Sequence, residues 1–116
     1  MSRQSVIRSL QAYYDDGRFL EDLRRRVAIP TESQNPARRP ELYRYLETEI
    51  APALRALDYA VTIYDNPDPA GGPFLIGRRI EGSALTVLTY GHGDVVRGLD
   101  KDWRSGLSEG SAGSRR

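Results

Sequence analysis

Cysteine is absent from this 116-residue sequence. Disulfide scaffolds and thiolate zinc sites are therefore excluded, and the redox compartment stays open. Histidine occurs once, at position 92. An excess of one charge sign is also missing, since 17 Lys and Arg face 16 Asp and Glu for a net charge of +1. That balance provides no general attraction to nucleic acid or to an anionic membrane. No apolar run approaches the roughly 18 residues that a membrane span needs. The first residues, Met1 to Ser5, lead into an amphipathic stretch rather than an apolar signal core. Internal repeats are lacking. What is present is 39% hydrophobic and 28% charged, a polar but folding-competent chain of one domain at most. A cytoplasmic protein is the expectation, with neither nucleic acid nor membrane as partner.

Periodicity divides the chain into a helical and an extended part. Val6, Ile7, Leu10, Tyr13 and Tyr14 share one helical face between Ser2 and Asp15. Either Asp15 or Asp16 can cap the next helix. Phe19, Leu20, Leu23 and Val27 form its stripe, and Arg24, Arg25 and Arg26 sit near its carboxyl end, where the dipole favours them. No aromatic pattern accompanies that basic run, so it reads as a helix end rather than a nucleic-acid patch. Pro30, Pro36 and Pro40 punctuate a loop. Leu42, Tyr45, Leu46, Ile50, Ala53, Leu54 and Leu57 then continue at helical spacing, with Pro52 predicting a kink or restart. Tyr45 reads as a packing residue. Beyond Asp58 the pattern alternates with period two. The spacing predicts helices near 3–14, 18–27 and 40–57 and strands near 59–65, 74–80 and 85–90. The predicted core is Leu46, Ile50, Leu54, Val61, Ile63, Leu85, Val87 and Leu88. Gly71-Gly72 carries no Lys-Ser/Thr after it, so a phosphate loop is not expected.

The chemistry concentrates after the third predicted strand. Leu85-Thr86-Val87-Leu88-Thr89 runs into Tyr90-Gly91-His92-Gly93-Asp94-Val95-Val96-Arg97. Ligands in α/β folds gather outside the carboxyl ends of strands. A ligating histidine also needs a neighbour to fix its tautomer, usually a carboxylate or a carbonyl. His92 is thus the candidate metal ligand, and Asp94 the carboxylate expected within hydrogen-bond reach of its imidazole.

The stretch Leu88 to Val96, followed by Trp103, resembles the first metal motif of a co-catalytic zinc hydrolase family. That family includes acetylornithine deacetylase, succinyl-diaminopimelate desuccinylase, carboxypeptidase G and the carnosinases. The helix Phe19-Leu20-Glu21-Asp22-Leu23 running into Val27-Ala28-Ile29-Pro30-Thr31-Glu32-Ser33 is similar to the opening of the same enzymes. So is Ile50-Ala51-Pro52 leading through Leu54 and Leu57 to Tyr59. The resemblance covers roughly residues 16 to 106. It implies the amino-terminal part of a zinc-aminopeptidase-like three-layer α/β/α domain, with three helices and three strands of a mixed sheet. It further implies a metallopeptidase or deacylase holding two zinc ions, with cobalt as a substitute, that cleaves amide bonds of N-acyl amino acids or peptides. His92 would hold one zinc and Asp94 would orient His92, while Gly91 and Gly93 would permit a tight backbone path. Trp103 would pack the loop.

The family's later motifs carry a bridging aspartate, paired glutamates, another carboxylate ligand and a final histidine. These are not found in the sequence; Asp100, Asp102 and Glu109 match none of them. Residues 107–116 are Gly/Ser-rich and charged, and read as a disordered tail after a partial catalytic domain at 1–106. The expectation is a fragment inactive by itself. The alternative is a non-enzymatic α/β module that binds a partner, or a second copy as a homo-oligomer, through an open sheet edge. A metallophosphoesterase fragment ranks last, because Asp-x-His and Gly-Asn-His motifs are absent.

Overall fold

The computed structural model describes residues 2–96. The expectations for Trp103, for the 1–106 boundary and for a 107–116 tail lie outside these residues.

Ser2 starts the first helix, α1 (Arg3–Asp15), through a reciprocal capping box with Ser5. Asp16 and Gly17 break the helix, and Gly17 adopts φ 84°, a left-handed conformation glycine takes without steric cost. Helix α2 (Arg18–Val27) follows. Gly17 occupies its cap position, and Asp16 Oδ1 instead accepts the Arg18 N–H at 3.1 Å. The two helices form a hairpin with Phe19 against the rings of Tyr13 and Tyr14. Their stripes are less buried than the pattern predicts; Leu10 is 62% and Leu20 51% exposed.

A turn at Pro36–Arg38 leads into α3 (Arg39–Tyr45), a π turn at Leu46–Ile50 and α4 (Ala51–Arg55), together one long helical run. Proline accounts for the π turn. Pro52 lacks an N–H, and its ring crowds the carbonyl four residues back. The ladder widens before it, so Ala51 N–H donates to the Leu46 carbonyl, five residues back. The predicted irregularity is therefore present and takes this form. Asp58, left-handed at φ 63°, ends the run and turns the chain toward the sheet.

Strands β1 (Ala60–Tyr64) and β2 (Phe74–Arg78) pair antiparallel, with Val61 opposite Gly77 and Ile63 opposite Leu75. These four positions are half-buried on one face. A Cβ at Gly77 would stand 3.1 Å from Leu54 Cδ1, so the helical run lies on that face at close range. Tyr64 and Phe74 stack on the opposite, exposed face with centroids 5.5 Å apart. Among the described residues this is a mixed α/β arrangement of helices and a two-stranded antiparallel sheet.

The third predicted strand is not formed. Residues 85–90 have no sheet partner, and Leu85, Val87 and Leu88, expected in the core, are 75%, 74% and 95% exposed. The reason is physical: a strand is stabilised by its neighbours, and β-propensity has little force without them. Among the described residues the buried apolar side chains are Ile29 and Ala51, while Leu46, Ile50, Leu54, Val61 and Ile63 are half-buried. Glu49 is also buried, within the π turn, and its carboxylate meets Arg25 Nε of α2 at 2.7 Å. No helix among the described residues is long and apolar enough to cross a membrane.

Candidate functional site

Two loops distant in sequence meet at His92. The first is Thr31–Ser33, which leaves α2 after the buried Ile29. The second is His92–Val95. Val95 N–H donates to the Thr31 carbonyl at 3.0 Å, and Glu32 and Val95 form an isolated parallel bridge. Thr31 Oγ1 donates to the Gly93 carbonyl at 2.6 Å. Ser33 Oγ donates to Asp94 Oδ2 at 2.7 Å, across 61 residues of sequence. Thr31 and Glu32 are buried by this contact. Glu32 is held by Asn35 Nδ2 at 3.1 Å and by Arg38 Nε at 3.9 Å.

The other oxygen of Asp94 completes the arrangement. Asp94 Oδ1 lies 3.1 Å from His92 Nδ1, the hydrogen bond expected from the spacing. An ionised carboxylate only accepts, so in neutral His92 the proton is on Nδ1 and Nε2 keeps its lone pair. Both side chains are open to solvent, 70% exposed for His92 and 45% for Asp94. The Ser33 hydroxyl is the largest cause holding the Asp94 carboxyl below its ordinary value; partial burial opposes it, and the His92 imidazole adds a smaller lowering effect. Asp94 is thus ionised at neutral pH and fixed from two sides. His92 and Asp94 follow an unpaired segment here, not the end of a strand.

The glycines beside His92 are not equivalent. A Cβ at Gly93 would lie 2.2 Å from Tyr45 Cε1, whereas a Cβ at Gly91 meets nothing within 4 Å. Close approach to Tyr45 requires glycine at 93 and has no bearing on 91. Tyr45, read from the sequence as packing, is therefore the back wall of the site. Its helical spacing signalled burial but not what it would face.

In front of Tyr45 opens a cleft of about 900 Å3. It is lined by Leu46, Ile50 and Leu54 of the helical run, by Phe74, Leu75 and Gly77 of β2, and by residues 89–94. Ser33, His92 and Asp94 are among its lining residues.

Zinc is not accommodated by these residues alone. Protein zinc centres take at least three protein donors. Among the described residues, no group of three or more His, Cys, Asp or Glu could hold a metal ion. Asp94 is held by Ser33 and His92. What the described residues offer is one oriented imidazole nitrogen. No protein-family model, curated protein or solved structure matches the chain.

Proposed function

We propose that this chain carries the first metal-binding limb of a zinc-dependent hydrolase that cleaves amide bonds of N-acyl amino acids or peptides. In this reading His92 supplies one metal ligand through Nε2. Asp94 fixes the imidazole and Ser33 fixes Asp94. The remaining ligands and the general base come from outside the described residues, and the chain by itself does not turn over substrate. The observation that carries the reading is the chain Ser33–Asp94–His92, which joins the Pro-Thr-Glu-Ser loop to the His-x-Asp motif. Carboxylate–histidine pairing of this kind is the usual support of a metal-ligating imidazole.

The experiment is a zinc titration of the 116-residue chain, followed in the imidazole nitrogen spectrum and paired with an assay on N-acyl amino acids and dipeptides. Zinc should perturb His92 Nε2 and leave Nδ1 protonated, without hydrolysis. Asp94→Ala should weaken that response by about 10-fold to 100-fold, the usual effect of losing a ligand's supporting carboxylate. A silent Nε2 would overturn the metal reading. Hydrolysis that disappears in His92→Ala would overturn the inactivity of the chain.

A further inference from the structure

We propose that two copies of this chain associate across the cleft. Each copy's Leu85–Thr89 segment adds as an extended strand to the free edge of the other's β2. This interface does not depend on the metal chemistry proposed above.

The cleft has the form of a vacant strand position. The apolar face of the helical run, β2 and the stretch Tyr90–Asp94 all line it, and β2 pairs with β1 on its other side only. The chain's own Leu85–Thr89 is not free to fill it. That segment runs straight into the stretch at 90–95, which is tied to Thr31 and Ser33 through Gly93, Asp94 and Val95.

A second copy provides the matching occupant. Leu85–Thr89 has five residues, as does β2 (Phe74–Arg78), or about 17 Å of strand. Gly82 to Gly91 contain no charged residue and no proline, so the segment lacks the features that keep exposed strands from pairing. Among the described residues its backbone makes no backbone–backbone hydrogen bond, and Val87 and Leu88 project into solvent. With Val87 turned to the helical run, antiparallel pairing sets it opposite Gly77 and sets Leu88 opposite Ile76, which is 52% exposed. Donor segment and acceptor edge belong to the same molecule; exchanged reciprocally about a twofold axis, both are satisfied and the assembly closes.

Sedimentation of the full chain over a concentration series tests the proposal. A closed monomer–dimer equilibrium is expected, with slowed amide exchange at 85–89 in the dimer. Val87→Pro, at a position 74% exposed in the single copy, should raise the dissociation constant about tenfold or more, because it removes the central amide of the added strand. Leu57→Lys, 57% exposed and outside the cleft lining, should leave it unchanged. Since the chain has no cysteine, crosslinks can be placed cleanly. A tagged Leu88→Cys copy mixed with an Ile76→Cys copy should give a disulfide-linked heterodimer. A monomer at every concentration, an open-ended polymer, or a dimer indifferent to Val87→Pro would each overturn the proposal. So would crosslinking confined to a single chain carrying both cysteines.

Discussion

Both oxygens of Asp94 are engaged, and that makes this carboxylate the most constrained group at the site. Ser33 is the largest cause of its lowered pKa. Ser33→Ala should therefore move the Asp94 titration upward, toward the ordinary value, in a carboxyl-carbon NMR titration; an unmoved midpoint would deny the serine its role. The sign for stability follows. A carboxyl depressed in the folded state contributes above its unfolded pKa near 3.9 and loses that contribution as pH falls through the folded value. The tie between the two loops should hold at neutral pH and release in acid, below the usual carboxylate range. A second test addresses Gly93. Gly93→Ala drives a methyl into the Tyr45 ring, so it should disrupt the His92–Asp94 pair in imidazole spectra. Tyr45→Ala should restore the pair in the double variant by vacating that space; failure to do so would move the constraint elsewhere. The His92–Asp94 contact was readable from a spacing of one residue. The part of Ser33 was not, because 61 residues of chain separate it from Asp94 and no local pattern records the contact.

The long helical run shows where local propensity is sufficient and where it is overridden. Its stripe from Leu42 to Leu57 was visible in the sequence, and Pro52 marked the irregularity. The π turn that resulted depends on how the freed carbonyls find new donors, here the Ala51 N–H. Ala51 itself has no exposed surface. Ala51→Leu should cost about 1–3 kcal/mol through overpacking. Urea unfolding monitored by helical circular dichroism would measure it, and a neutral result would mean that space exists beside the π turn. The two strands were legible because alternation and β-branched residues coincided with a partner. Residues 85–90 carry the same local signal without one, and remain unpaired.

The described residues of the molecule form a thin structure with a small interior. Two apolar side chains, Ile29 and Ala51, are buried among them, and large apolar side chains on both α1 and α2 remain exposed. A monomer of this kind should unfold with a urea m-value below the ~1–3 kcal/mol/M typical of small domains, since m scales with the surface that unfolding exposes. Dye binding to exposed apolar surface should accompany it already in the native state. A steep, two-state transition at concentrations where the chain is monomeric would contradict this. Under the proposed association, a steeper transition should appear only as concentration rises.

The sequence by itself determined the local order: three helical segments, two strands, the break at Pro52 and the pairing of His92 with Asp94. Each of these follows from backbone propensity or from contacts within a few residues. Tertiary structure decided the rest. It brought Thr31 and Ser33 to Gly93 and Asp94, set Tyr45 behind Gly93, opened the cleft beside β2, and left Leu85–Thr89 without a neighbour. These outcomes depend on which distant segments meet, and a strand in particular exists only where another backbone supplies its hydrogen bonds.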